Sequence, residues 1–263
     1  MRIVVVGLGW LGTALAVDLA ARGHDVHGTR TTLEGRSELA DRDVTLHRLA
    51  ARPELEGDAE VLRGADRVVF CLPPSDLGDA YGEALARLAR GAGDAGQLVH
   101  CSSTGVHPDL PAHPWTREED VADDPDPRAA RLLEAERAVL AAGPPATVLR
   151  LAGLWGHGRH PVRFLAGRER PGGDAPVNLV HRDDVIAAVH AVALGEPVTG
   201  CYAVVADEHP TRAAFYPAEA RRLGLAPPRF GPGPTSGKRV SGDRLAAATG
   251  FRPRWAPGDP HAP

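Results

Sequence analysis

The apolar, β-branched run Ile3-Val4-Val5-Val6 ends at Gly7, and further glycines stand at 9 and 12 before the stretch ALAVDLAARG. This spacing constrains the chain more than any other feature. Gly7 supplies the tight turn out of a strand. Gly9, lacking a side chain, lets a pyrophosphate approach the backbone. Gly12 lets the following helix pack against the strand it came from. The helix N-terminus then offers backbone N–H groups and the positive end of its dipole to phosphates. A strand pattern at Asp25–Thr29 completes a strand–helix–strand unit. The turn therefore reads as a dinucleotide site, with Gly7, Gly9, Trp10, Leu11 and Gly12 as cofactor-binding residues.

The second strand bears on which dinucleotide is bound. An NAD site carries Asp or Glu at the end of this strand to hold the ribose 2′-hydroxyl. Here the strand runs out as Gly28-Thr29-Arg30-Thr31-Thr32, and no carboxylate follows until Glu34. Arg30 can pair with a 2′-phosphate, and the threonine hydroxyls, Thr31 among them, can donate to it. NADP is the expected cofactor, with NAD as the alternative.

A chain of 263 residues is long enough for a full core, as one large domain or as a domain with a smaller lobe. The formal charge of −4 gives no basic surface for nucleic acid. No apolar run reaches the ~18 residues of a membrane span, and the opening lacks the basic-then-apolar order of a signal peptide. The expected location is the cytoplasm and the expected partner a small-molecule substrate, with the chain a monomer or homodimer. Cys71, Cys101 and Cys201 lie in or beside apolar strand patterns, so they read as buried free thiols. All but one of the 30 basic residues are arginine. The exception, Lys238, has a compact ammonium whose chemistry a guanidinium does not reproduce.

Strand patterns at Ile3–Val6, Asp25–Thr29, Val44–Arg48, Arg67–Leu72, Gln97–Ser102, Thr147–Leu151 and Cys201–Val205 alternate with helical ones. The helical patterns fall at Trp10–Arg22, Glu54–Arg63, Asp79–Ala92, Arg128–Ala142, Asp184–Leu194, Arg212–Leu223 and Ser241–Ala248. Alternation of this kind predicts an α/β fold with a doubly wound parallel Rossmann sheet. Gly and Pro rise after about residue 155, which predicts a smaller, discontinuous substrate lobe. The division expected is 1–155 with 181–206 for the dinucleotide-binding domain, and 156–180 with 207–263 for the lobe. The acidic stretch at 117–127 reads as a solvated loop whose prolines block early helix formation, and APGDPHAP at the end as a frayed tail. Asp183 reads as a helix N-cap and His181 as a packed structural residue.

In shared order, these segments resemble the NAD-dependent epimerase/dehydratase family, the extended branch of the short-chain dehydrogenase/reductase superfamily. GLGWLG is similar to its cofactor turn and VVFCLPP (68–74) to its fourth strand. CSSTGVHPD (101–109) is similar to its Ser-rich fifth strand with Val-Tyr-Gly. LRLAGLWGHGRHP (149–161) resembles its Arg-x-x-x-Val-Tyr-Gly-Pro-Gly segment, and VNLVHRDDVIAAV (177–189) its Asn-Phe-Val-His-Val-Asp-Asp-Val segment. SGKRVSGDRLAAATGFRP (236–253) looks like its closing segment. The resemblance implies further cofactor contacts from Leu72, Pro73, Ser102 and Arg131.

One departure is chemical. The family's catalysts carry a Tyr-x-x-x-Lys pair about twenty residues beyond the Ser-rich strand. With Arg131 at the lysine position, Pro127 falls at the tyrosine position, and there is no tyrosine between Tyr81 and Tyr202. The chain thus resembles atypical members lacking the usual acid. Ser103 falls where the family places its catalytic Ser or Thr. His107 replaces the tyrosine of Val-Tyr-Gly and titrates near neutral pH. His157 and His160 flank Gly158-Arg159 and can serve as acid or base. No cysteine or carboxylate set accompanies these two in sequence, so no metal is expected. Thr104, Arg159 and Lys238 are the expected substrate contacts, the cations pointing to a carboxylate or phosphate. The expected function is an NADP-dependent oxidoreductase acting on a small polar, anionic metabolite. Epimerisation or dehydration through transient oxidation is an alternative, and a catalytically degenerate dinucleotide-binding regulator is another.

Overall fold

The computed structural model describes residues 1–33, 39, 42–52, 54–231 and 236–263. Glu34, and residues 232–235 of the Pro/Gly-rich segment, lie outside the described residues.

The main sheet is built from β1 (Arg2–Val6), β2 (Asp25–Arg30), β3 (Val44–Ala50), β4 (Glu56–Gly57), β5 (Arg67–Phe70), β6 (Leu98–Ser103), β7 (Ala146–Leu151) and β8 (Gly200–Val204). Its order is β8-β7-β6-β5-β1-β2-β3-β4. β1 pairs in parallel with β2 on one side and β5 on the other, so the chain order reverses at β1. That reversal is the switch point outside which open α/β sheets bind ligands. The central strands are apolar almost throughout because both faces are covered; Ile3–Val6, Val68–Phe70 and Leu98–Val99 are all buried.

The helices are α1 (Trp10–Ala21), α2 (Pro74–Leu77), α3 (Tyr81–Gly91), α4 (Pro127–Leu140), α5 (Arg182–Ala193), α6 (Arg212–Arg222) and α7 (Asp243–Thr249). None of the described helices is long and apolar enough to cross a membrane.

The helix expected over Glu54–Arg63 is not formed. Gly57 takes φ +96, and Glu56–Gly57 pairs antiparallel with the end of β3. A Cβ at Gly57 would fall 2.2 Å from the Arg48 carbonyl oxygen, so this crossing is built around the glycine. Only a 3-10 turn, Ala59–Leu62, remains helical there.

The acidic stretch is also more than a solvated loop. Glu118 is buried; its Oε1 accepts from Ala203 N at 2.9 Å and its backbone carbonyl accepts from Arg150 Nη1 at 2.6 Å. Asp126 caps α4 by accepting from Arg128 N and Ala129 N, both at 2.8 Å, with Pro127 at the first helical position. The proline expected to block a helix therefore starts one, where its missing N–H has no intrahelical role.

By contacts the chain divides into two compact units. The first comprises Met1–Ser102, Asp126–Leu149 and Val189–Cys201; the second comprises Ser103–Pro125, Arg150–Ala188 and Tyr202–Pro263. The composition change near residue 155 does not mark this division. Residues 103–125 join the second unit because Trp115–Thr116 pairs with Arg239–Val240 and Leu110 bridges Gly237. Two- and three-residue pairings of this kind leave no periodicity in the sequence. Gly153–Trp155 with Leu179–His181, and Glu169–Pro171 with Arg229–Gly231, are of the same sort.

The second unit has its own core of Trp155, Val177, Leu179 and Phe215, onto which Trp255 and Ala262 pack. The last residues are thus not frayed. The buried carboxylate of Asp184 on α5 accepts from Arg254 N at 2.8 Å and Trp255 N at 3.1 Å. Burial raises the Asp184 pKa, and these two backbone bonds oppose the rise.

Candidate cofactor site

Within the first unit, β1 runs into Gly7, whose φ of +94 is open to glycine at no steric cost. A Cβ there would also meet Leu72 Cδ2 at 2.7 Å. Gly7 N donates to Thr29 Oγ1 at 3.3 Å, which ties the turn to the end of β2. Gly9 stands at the N-cap of α1 with no side-chain cap, and nothing lies within 4 Å of where its Cβ would be. Gly12 is opposite in character, since its Cβ would fall 2.2 Å from Gly7 O. The three glycines thus divide into turn, open approach and close packing. The first turn of α1 holds no acidic side chain, so its dipole is not offset there.

Above this turn lies a cavity of about 290 Å³. Gly7, Leu8 and Gly9 form one wall, Thr29 to Thr32 a second, and Leu72 and Pro73 a third. Arg30 Nε donates to Leu8 O at 2.9 Å, bringing its guanidinium back over the glycine loop. Open space over Gly9, an uncapped helix N-terminus and a guanidinium at the end of β2 fit a nicotinamide dinucleotide.

Of the expected cofactor residues, the cavity gathers Gly7, Gly9, Arg30, Thr31, Leu72 and Pro73. Trp10, Leu11 and Gly12 form the first turn of α1. Ser102 and Arg131 are engaged elsewhere in the unit. Ser102 Oγ donates to the buried Glu136 carboxylate at 2.6 Å. Arg131 donates to Pro127 O at 3.0 Å and pairs with Asp79. Asp76 and Leu77 line the cavity without any sequence signal having marked them. Cys71 also lines it, 3.9 Å from Cys101 Sγ; the contact with Cys101, together with burial, raises the Cys71 pKa.

The expected catalytic and substrate residues fall in the second unit. Ser103 ends β6, and its Oγ accepts from Gly105 N at 3.1 Å, capping the 3-10 turn Thr104–Val106. Thr104 is buried in that turn. His107 is buried, with Nδ1 at 2.8 Å from Asp120 O. Lys238 Nζ donates to His107 O at 2.7 Å and pairs with Asp109 at 3.1 Å, so the lone lysine braces this loop.

His157 and His160 diverge. His157 Nε2 meets Asp183 Oδ1 at 2.8 Å, whereas the buried His160 has Nε2 3.1 Å from Glu219 Oε2. Burial lowers the His160 pKa and Glu219 opposes it. Arg159 closes the tight turn between them, exchanging backbone hydrogen bonds with Gly156 at 2.9 and 3.0 Å. The N-cap expected at Asp183 is instead taken by His181, whose Nδ1 accepts from Asp183 N at 3.2 Å. Asp183 is thereby left to face His157, a partnership that a separation of 26 positions hides from sequence reading.

The switch-point sheet and the glycine turn define a Rossmann-type α/β fold with the geometry of a dinucleotide site. Residues 2–93 match the family described as NADP oxidoreductase, coenzyme F420-dependent. The fold is shared with UDP-glucuronic acid 4-epimerase from Bacillus cereus in complex with NAD. That structure has a TM-score of 0.79 and 14% identity, with 98% of this chain and 95% of that one covered. It is shared too with a short-chain dehydrogenase/reductase superfamily protein from Agrobacterium tumefaciens with bound NAD. There the TM-score is 0.75 and the identity 18%, over 97% and 93% of the two chains. The chain is 38% identical over 263 residues to Protein YeeZ of Escherichia coli K12, covering 95% of this chain and 94% of that one. It belongs to the YeeZ family.

Proposed function

We propose that the chain is an NADP-dependent oxidoreductase acting on a small polar, anionic metabolite, and that it works without the catalytic tyrosine of the epimerase/dehydratase family it resembles. The observation that carries the cofactor choice is Arg30 in the cavity wall at the end of β2, flanked by Thr29, Thr31 and Thr32. No carboxylate stands among these residues to hold a 2′-hydroxyl, and a 2′-phosphate would meet a guanidinium and hydroxyl donors.

A bound nicotinamide supplies the hydride chemistry. Gly7, Gly9 and the α1 N-terminus would hold the pyrophosphate of the dinucleotide, and Arg30 would meet the phosphate on its adenosine ribose. Ser103 presents a hydroxyl whose oxygen already accepts from Gly105 N, leaving its O–H to donate to a reacting oxygen or nitrogen. His107 and His160 are buried among their own partners and suit positioning better than proton transfer. With Pro127 at the start of α4 and no phenol there, the reaction suited to this arrangement needs little acid help, such as reduction of an already protonated imine.

Calorimetry with NADP and NAD, followed by turnover of nicotinamide absorbance against a panel of imines, ketones and keto acids, tests this reading. Tighter NADP binding and turnover of a carboxylate- or phosphate-bearing compound are expected. Equal affinities would overturn the cofactor choice. Binding without turnover across the panel would favour a dinucleotide-responsive regulator.

A further inference from the structure

Within the first unit, Cys71 and Cys101 follow directly on the last paired positions of two neighbouring strands. β5 and β6 run in parallel with Phe70 opposite His100, so the two cysteines stand one step further along. Their sulfurs are 3.9 Å apart. Neighbouring strands lie ~4.8 Å apart, which falls within the ~4.4–6.8 Å that the Cα atoms of a disulfide span. Side-chain rotation, with a small approach of the two strand ends, is enough to bring sulfur to sulfur. The two thiols differ in access. Cys71 is half-buried and lines the cavity over the glycine turn, whereas Cys101 is buried.

Cys71 also belongs to the frame that shapes the glycine turn. Its backbone N–H donates to Val6 O at 2.8 Å, immediately before Gly7. A Cβ on Gly7 would lie 3.1 Å from Cys71 O, and one on Gly12 would lie 3.3 Å from Cys71 Cβ. Leu72 and Pro73, which follow in the chain, form one wall of the cavity. A covalent pull on Cys71 therefore reaches the turn and this wall together. A close-packed interior transmits such a shift to its neighbours, because it holds few voids to absorb it.

We propose, on the reading of this cavity as a dinucleotide site, that Cys71 and Cys101 are a site of reversible oxidation: peroxide joins them as a disulfide while the cavity is empty, and the disulfide weakens dinucleotide binding. The Cys71 thiolate attacks one oxygen of hydrogen peroxide. The O–O bond breaks, leaving a sulfenic acid on Cys71 and a hydroxide that takes up the thiol proton as water. The Cys101 thiol then attacks the sulfenic sulfur. The S–S bond forms, the S–O bond breaks, and the thiol proton leaves with the hydroxyl group as a second water. Two thiols are oxidised and one peroxide is reduced to two waters. A dithiol reductant reverses the step by thiol–disulfide exchange. The contact with Cys101, together with burial, raises the Cys71 pKa, so the first attack is slow and a dinucleotide covering Cys71 competes with it. Coupling between two sites is reciprocal, so a disulfide that weakens the dinucleotide is opposed by it to the same factor.

The test uses the full chain, reduced and then exposed to hydrogen peroxide with and without saturating NADP. Mass spectrometry of the intact chain reads the loss of two hydrogens, and peptide mapping after alkylation places the link. Calorimetry compares the NADP affinity of the reduced and oxidised chains, and melting curves check that both are folded. A Cys71–Cys101 link is expected, reversed by dithiothreitol, hindered by NADP and lowering NADP affinity at least ~5-fold. Cys101→Ala should bind NADP like the unmodified chain when reduced, and on peroxide treatment gain oxygen at Cys71 without forming the link. Cys201→Ser, a change on the edge strand β8, should form the link unaltered. Both thiols remaining free after peroxide, a link through Cys201, or a Cys71–Cys101 link that leaves NADP affinity unchanged would each overturn the proposal. A reduced chain that binds neither NADP nor NAD refutes the cofactor reading and the coupling with it, while the mapped link still decides the oxidation.

Discussion

A Cβ on Gly12 would stand 2.2 Å from the carbonyl oxygen of Gly7, whereas one on Gly9 would touch nothing within 4 Å. The two positions should therefore respond oppositely to the same small substitution. Gly12→Ala forces α1 away from the end of β1, a backbone contact that no rotamer change relieves. It should destabilise the fold by about 1–3 kcal/mol and also reduce dinucleotide affinity. Gly9→Ala should melt like the unmodified chain and yet bind dinucleotide more weakly, because its methyl occupies the approach of the pyrophosphate. Thermal melts and calorimetry on the pair check this; equal stability of the two variants would refute it.

Arg30→Ala should cost NADP far more than NAD. A charge-assisted bond to a phosphate is worth ~1.5–3 kcal/mol, or roughly 10- to 150-fold in affinity. Direct titration with each dinucleotide reads this out. A parallel loss for both cofactors would mean that Arg30 acts through its bond to Leu8 O and not on the 2′-phosphate.

Fully buried His100 sits in β6, and neither ring nitrogen has a hydrogen-bond partner among the described residues. Burial lowers its pKa to about 4, with Glu136 opposing the shift. The unfolded chain, with His near 6.5, therefore takes up the proton first. The contribution of neutral His100 to stability is complete above about pH 6.5 and is lost as pH falls towards 4. His100→Leu should flatten the melting temperature across that window relative to the unmodified chain. Identical acid limbs in the two proteins would exclude the role.

Lys238 should prove structural. Its ammonium is mostly buried between His107 O and Asp109, so Lys238→Met leaves that carbonyl and carboxylate without their cation. A loss of about 1.5–3 kcal/mol in denaturant unfolding is expected. Lys238→Arg should restore only part of it, because a planar fork does not occupy the place of a compact ammonium. A neutral Lys238→Met variant would return the residue to the set of substrate contacts.

Local chemistry in the sequence was enough for the strand–turn–helix at Gly7 to Gly12 and for the parallel alternation, because burial of β1, β5 and β6 on both faces demands continuous apolar runs. It was enough, too, for the end of β2, where Thr29 to Thr32 reach the cavity wall in the order read from the chain. What it did not determine depends on partners distant in sequence. Gly57 turned a helical pattern into an edge strand because Arg48 O lies against it. Glu118, read as solvated, is drawn inside by Ala203 N. His157 and His160, three residues apart, face Asp183 and Glu219 because a left-handed turn separates their side chains. Periodicity reports which residues are buried, since burial follows the local repeat of a helix or strand. It carries no term for which polar group meets which across 26 or 85 residues, and in this protein those meetings decide where each charged side chain is held.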